Sequence, residues 1–108
     1  MFLSINDCKG LSVTLPQQFI KSLQPQLLSE DCYDSLTKVI ESPGLIIETR
    51  AGSVRYYFRA IGWNCNALIK VELQKDKWRA TEGYINPSGD ILGSLFREGV
   101  IMEDRLTA

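Results

Sequence analysis

The sequence predicts an α+β fold, in which a four-stranded antiparallel meander carries N-terminal helices and a short C-terminal helix packed on one face. Two observations lead to this prediction. Residues 44–85 contain four β-branched, aromatic or alternating segments that are separated by short stretches of turn composition. The flanking segments space their apolar residues as helices do. At 108 residues, the chain is expected to form a single domain, 1–108.

The four strands are predicted from the alternation of side chains and from the turns between them. The predicted strands are separated by three turn segments, which are Ala51-Gly52, residues 62–66 and the polar run 74–77. The strands are expected at Leu45–Arg50, Ser53–Ile61, Ala67–Leu73 and Trp78–Ile85.

Alternation in the second strand assigns its residues to two faces. Val54, Tyr56 and Phe58 are expected on the apolar face, together with Ile69, Val71, Trp78 and Ala80 of the following strands. Since the helices need an apolar partner, we expect this face to be covered by them. The opposite face is then open to solvent or to a partner, and it carries Arg55, Tyr57 and Arg59.

The simplest register pairs Ile61 with Asn66 and Leu73 with Trp78, which orders the second face into rows. Glu48 joins the first row if the first hairpin has a two-residue loop. The rows are Glu48–Arg55–Glu72–Arg79, Ile46–Tyr57–Lys70–Thr81 and Arg59–Leu68–Gly83.

Helices are predicted on both sides of the strands. Pro16 suits the first turn of one helix, Ser29 caps a second that runs to Glu41, and Ser88 or Asp90 caps a third that ends near Gly99. Two short segments remain open: 12–15 is a candidate strand, and 100–102 is either an edge strand or coil.

Charge is unevenly distributed along a chain whose net charge is −1. Residues 1–47 carry 3 basic and 5 acidic residues, 48–79 carry 7 and 3, and 80–108 carry 2 and 5. A strongly basic nucleic-acid surface is therefore not indicated. Three cysteines without a CxxC spacing predict buried free thiols. Without an apolar span or a signal-like start, the chain is expected to be cytoplasmic and not membrane-bound.

No standard catalytic motif is present. The chain has no His, which excludes Ser-His and Cys-His catalysis, and it has neither a Walker loop nor a GxGxxG motif. We expect no metal and no cofactor. The remaining candidates can act on a phosphodiester, because arginines stabilise a phosphate and a Lys or Tyr of lowered pKa serves as base. The candidate catalytic residues are Arg55, Tyr57, Arg59 and Lys70, and the candidate binding residues are Arg79, Thr81 and Trp63.

Helices are followed by strands that contain Ser53–Arg59, and the last strand contains Thr81-Glu82-Gly83-Tyr84. This order of elements resembles that of the small bacterial ribonuclease toxins. These are the RelE-like toxins and their barnase, EndoU and colicin relatives, and the similarity covers about residues 29–85. The resemblance implies RNA cleavage, with Arg55, Arg59 and Lys70 on the phosphate and Tyr57 as candidate base. Two departures are the mildly acidic charge and the acidic segment after Gly99.

The alternative hypothesis is a non-enzymatic protein-binding module, such as an immunity protein, antitoxin or inhibitor. It rests on the acidic flanks and on a ladder of alternating charge, in which Arg55 and Arg79 only stabilise the sheet. The Arg/Tyr/Lys face with Trp63 would then be a protein interface. The expected partner is RNA under the first hypothesis and a cognate protein under the second.

Lys70 distinguishes a functional face from a structural one. In the predicted register, its neighbours are Tyr57 and Thr81, with two arginines on the diagonals. Lys70→Met is expected to melt like the parent, because Lys70 is predicted to be exposed. We expect it to lose at least about tenfold in cleavage or partner affinity, which corresponds to about 1.4 kcal/mol.

Overall fold

The computed structural model describes residues 2–23, 32–62 and 65–104, and these form one seven-stranded mixed sheet with three short helices. The strands are β1 (Phe2–Asn6), β2 (Ser12–Pro16), β3 (Leu45–Thr49), β4 (Val54–Gly62), β5 (Cys65–Gln74), β6 (Lys77–Ile85) and β7 (Gly99–Asp104). The helices are α1 (Gln17–Leu23), α2 (Cys32–Glu41) and α3 (Gly89–Glu98). The strand order is β1-β2-β6-β5-β4-β3-β7, and β2 runs parallel to β6.

The predicted four-stranded antiparallel meander is therefore wrong as a description of the fold. β3 to β6 do form a meander, but β1 and β2 extend the sheet beyond β6, and β7 extends it beyond β3. The missed pairings join distant parts of the chain, such as Val13 with Trp78 and Ile47 with Ile101. Local periodicity contains no information about such partners. The open expectations for 12–15 and 100–102 are both resolved as strands.

The main core lies between the sheet and the helices α1 and α2. Both helices contact the central strands, α1 through β6 and α2 through β4 and β5. The helices contribute Phe19, Ile20, Val39 and Ile40, and the sheet contributes Val13, Leu15, Ile46, Tyr57, Ile69, Val71 and Ala80.

β4 presents the opposite face to the core from the one predicted. Ala60, and not Ile61, pairs with Asn66, so β4 is displaced by one residue against β5. Because successive residues of a strand point to opposite faces, this shift buries Tyr57 and leaves Tyr56 only half-buried. The expected core placement of Val54, Tyr56 and Phe58 is wrong. The expected core positions of β5 and β6 are confirmed for Ile69, Val71 and Ala80.

Two of the predicted registers are confirmed. Leu73 pairs with Trp78, and Glu48 pairs with Arg55. The register of β6 shifts between Ala80 and Glu82, so Thr81 has no partner residue in β5. Because of this bulge and the shift in β4, Lys70 is in register with neither Tyr57 nor Thr81, and the row predicted for these three residues is wrong. The same shift shows that the predicted pairs Arg55–Glu72 and Arg59–Leu68 are wrong.

The second face of the sheet is partly covered by α3. Leu45 and Ile47 alternate with the core residue Ile46 and are nevertheless buried, while α3 contacts β3 and β7. The helices therefore do not all pack on one face as predicted. Ser88 caps α3 as expected, because its hydroxyl accepts the backbone N–H of Ile91. The predicted cap Ser29 lies outside the described residues.

The turn between β5 and β6 generates the first testable prediction. Lys75 and Asp76 have φ values of 50° and 65°, so both occupy the left-handed region in a two-residue hairpin loop. Replacing them with Asn-Gly should raise the free energy of unfolding by about 1 kcal/mol, because Asn and Gly adopt this geometry at lower cost. Urea denaturation measures the change.

Gly52 provides the matched control for this experiment. Its φ is already +78°, and it is a glycine, so Gly52→Ala should destabilise the protein by about 1 kcal/mol. A Lys75→Asn/Asp76→Gly variant no more stable than the parent would show that the hairpin carries no local strain.

Candidate functional site

A buried carboxylate organises the polar part of the core. Asp7 follows β1, and its Oδ1 accepts the backbone N–H groups of Lys9 at 2.9 Å and Leu11 at 2.8 Å. The turn closes at Gly10, whose φ of +85° favours glycine. These two bonds fix the loop so that the second oxygen of Asp7 points towards β4.

Two side chains of β4 bind that second oxygen. The hydroxyl of Tyr57 donates to Asp7 Oδ2 at 2.7 Å, and Arg55 Nη1 lies 3.3 Å from the same atom. Arg55 Nη2 also pairs with Glu48 Oε2 at 3.1 Å. Because the side chain of Asp7 is 0% exposed, its charge depends on these donors. We call Asp7, Glu48, Arg55 and Tyr57 the buried network.

Trp78 lies against the guanidinium of the buried network. The centre of the Arg55 guanidinium is 5.2 Å from the centroid of the Trp78 ring, which is the distance of a cation–π contact. Arg55 Nε is buried without a hydrogen-bond partner among the residues that the structure describes. The Trp78 ring therefore lies over a guanidinium whose Nε makes no hydrogen bond to these residues.

The network shifts the ionisation of Tyr57 away from that of a general base. Burial and the hydrogen bond to Asp7 raise the pKa of Tyr57 well above its ordinary value. Burial opposes the charge of Arg55, but its neighbours Tyr57 and Glu48 raise the pKa of Arg55 on balance. At neutral pH, Tyr57 is therefore a phenol and Arg55 a cation, an arrangement that suits structural pairing.

The structure does not bring the four candidate catalytic residues together. Arg55 and Tyr57 belong to the buried network, and Arg59 Nη1 donates to the carbonyl of Ser42 after α2. Lys70 lies in register with Tyr56 and Glu82, on the face opposite to Tyr57. The sheet separates Lys70 from the network, so these groups cannot act on one phosphodiester.

Two of the three candidate binding residues, Arg79 and Thr81, lie on β6. Arg79 is exposed on β6 and pairs with Glu72 of β5, as predicted, and with Thr14 of β2. Thr81 occupies the bulge of β6, where its hydroxyl lies 3.5 Å from the carbonyl of Lys70. Trp63 lies outside the described residues.

A second surface was not identified from the sequence. Phe96 is 50% exposed, Val100 49%, Ile101 48% and Met102 39%, and all four lie at the end of α3 or on the edge strand β7. Among the exposed large apolar side chains of the described ranges, Leu73 alone lies elsewhere. We call these four residues the apolar edge.

Asp7 is the residue of the network that the sequence reasoning missed. Its partners lie 48 and 50 positions further along the chain, and no spacing rule connects them. A local signal does exist, because an Asp three residues before a Gly is typical of a turn closed by the carboxylate. That signal indicates the turn but does not indicate its burial.

Comparison of the chain with family models, curated proteins and solved structures gives no match. Within the described ranges, no group of three or more Cys, Asp or Glu residues is placed to hold a metal ion. No helix in the described part of the chain has the length and apolar character needed to cross a membrane.

The buried network generates a prediction about pH. Tyr57→Phe should lower the free energy of unfolding at pH 7 by about 1–3 kcal/mol, because Asp7 loses a buried donor. In the parent, the raised pKa of Tyr57 contributes stability below pH 10 that is lost as pH rises further, since only the unfolded phenol ionises near 10. The difference between parent and variant should therefore narrow above pH 10, as measured by urea denaturation from pH 7 to 11.

Tyr84→Phe is the control for this series. Tyr84 is half-buried, and its hydroxyl donates to Glu82, which raises its pKa to about 12. Its replacement should change the stability at pH 7 by less than about 0.5 kcal/mol. If Tyr57→Phe and Tyr84→Phe lowered the free energy of unfolding equally, the hydrogen bond from Tyr57 to Asp7 would not have the stabilising role proposed for it.

Proposed function

We propose that this chain is a non-enzymatic protein-binding module of the immunity, antitoxin or inhibitor type, which docks a cognate protein at the apolar edge. The observation that supports this proposal is the clustering of exposed apolar side chains on an edge strand. β7 pairs with β3 on one side and with no described strand on the other. Its outer backbone groups are therefore available for pairing with another chain.

The side chains of β7 suit such pairing. Val100 and Met102 alternate with Ile101, so both faces of the strand present apolar surface, and each of the three is about half or two-fifths exposed. Contiguous exposed apolar surface at a sheet edge is typical of a protein interaction site. Phe96 at the end of α3 extends it with the kind of aromatic anchor that hot spots favour.

The charge of the region favours a foreign partner over a second copy. Residues 89–104, which form α3 and β7, carry one basic residue, Arg97, and four acidic residues, so two copies joined through β7 would bring like charge together. A cognate protein that supplies an apolar strand with basic flanks is complementary to it. The acidic composition of the chain therefore suits a basic protein partner, whereas it would repel the phosphates of RNA.

The geometry of the buried network does not support the ribonuclease hypothesis. A general base must reach its proton and must have a pKa near the working pH. Tyr57 is 0% exposed and its pKa is raised, and Lys70 lies on the other face. The free thiols of Cys8 and Cys65 fit the reducing cytoplasm, where we place this binding function.

The edge proposal is tested with Ile101→Lys. A charged side chain on the edge strand should reduce affinity for the cognate protein at least about tenfold, because it places an ammonium group in an apolar interface. The measurement starts with capture from lysate of the native host by the immobilised parent. The captured protein is then purified and titrated against parent and variants.

Leu73→Lys is the matched control, because Leu73 is 41% exposed and lies on β5, away from β7. It should retain parental affinity, and circular dichroism and thermal melting should show that both variants fold. Equal binding by Ile101→Lys and the parent would contradict the proposal, as would a parental dimer in sedimentation that Ile101→Lys converts to monomer. Growth arrest of cells expressing the parent alone would favour the ribonuclease hypothesis instead.

A further inference from the structure

Exposed cations surround a groove at the hairpin between β5 and β6. The groove has a volume of about 520 Å³ and is lined by Gln74, Lys75, Lys77 and Arg79. No carboxylate contributes to its lining. We call it the cation groove.

A second groove adjoins it at Lys77, which lines both. Its volume is about 400 Å³, and its other lining residues include Ser4, Ser12 and Thr14, which carry hydroxyls, and the apolar residues Leu11 and Trp78. Ser4 and Ser12 already lie within hydrogen-bond distance of each other, at 3.1 Å. We call it the hydroxyl groove.

The register explains why the two grooves are adjacent. The parallel pairing of β2 with β6 places Thr14 beside Arg79, and Ser4 of β1 lies opposite Thr14. One face of the sheet therefore runs from hydroxyls on β1 and β2 to cations on β6. The two grooves are neighbours because β2 pairs with β6, and this pairing was not predicted from the sequence.

The cations of the first groove form no ion pair in the part of the chain that the structure describes. In the described ranges, neither Lys75 nor Lys77 nor Arg79 has a carboxylate oxygen within ion-pair distance. Two carboxylates are nearby in the chain: Glu72 is opposite Arg79, and Asp76 lines the hydroxyl groove. Asp76 disfavours a phosphate in the hydroxyl groove, but it can accept a hydrogen bond from a ligand hydroxyl.

The turn supplies an independent observation. Lys75 has a φ of 50°, a region where a long side chain is energetically unfavourable and where Asn or Gly is usual. Placing a cation there costs local stability, and such outliers are concentrated at functional sites. The strained turn and the unpaired cations occur at the same groove.

From this arrangement, we infer that the two grooves form one binding site for an organic polyphosphate of nucleotide size. The phosphates lie in the cation groove against Lys75, Lys77 and Arg79, where charge-assisted hydrogen bonds hold them. The rest of the ligand, which bears hydroxyls, lies in the hydroxyl groove beside Ser4, Ser12 and Thr14. Each groove falls within the size range of small-molecule sites. The inference is independent of the apolar edge.

Isothermal titration calorimetry of the full chain with adenosine triphosphate and with inorganic tripolyphosphate tests the site. The nucleotide should bind at least about tenfold more tightly than tripolyphosphate, because only it fills both grooves. Lys77→Gln should weaken both ligands at least about fivefold. Thr14→Val, which keeps a β-branched side chain, should weaken the nucleotide alone.

Two further variants show whether a loss of ligand affinity comes from the site itself, from unfolding or from the change in net charge. Lys75→Asn removes a cation and relaxes the turn, so it should melt at or above the parental temperature and still lose affinity at least about fivefold. Lys21→Gln makes the same charge change at an exposed position on α1 and should bind like the parent. The inference would be overturned if the parent bound neither ligand or bound both with equal affinity. It would also be overturned if Lys21→Gln and Lys77→Gln lost affinity for the ligands to the same extent.

Discussion

The buried carboxylate of Asp7 is the constraint on which the arrangement of the sheet depends. It accepts four hydrogen bonds, two from its own turn and two from β4. A carboxylate without water is costly unless all its partners are in place, so the loop after β1 must reach the core side of β4. The side chains of Cys8 and Leu11 pack against the core beside it. Thus one charged group fixes both the path of the N-terminal hairpin and the face that β4 buries.

The same constraint explains which parts of the fold could be predicted from the sequence. The positions of β3 to β6 follow from turn residues and alternation, and the registers Leu73–Trp78 and Glu48–Arg55 follow from the hairpins. The face of β4 does not follow, because both of its faces carry aromatic residues and a one-residue shift exchanges them. The pairing of β2 with β6 and that of β7 with β3 depend on packing between distant segments. Nothing in the local pattern of either strand identifies its partner.

The candidate site was harder to predict than the strands, for a related reason. Arg55, Tyr57 and Arg59 alternate as an exposed polar face would, and polar residues are expected in water. In the structure, each has a partner supplied from elsewhere: Asp7 and Glu48 for the first two, and the carbonyl of Ser42 for Arg59. Local alternation cannot show that these partners exist. Lys70, with the same apparent character, has no such partner among residues 2–23, 32–62 and 65–104, and it lies on the other face.

The two proposed binding surfaces lie at well-separated parts of the sheet. β7 and β6 are separated by β3, β4 and β5, and four strand spacings amount to about 19 Å. This exceeds the Debye length of about 8 Å at physiological salt, so exposed charges on the hairpin act only weakly on a partner at β7. The buried network lies between the two surfaces, and its paired charges stiffen the sheet there. A ligand at the hairpin and a protein at the edge can therefore bind independently, unless one of them alters the network itself.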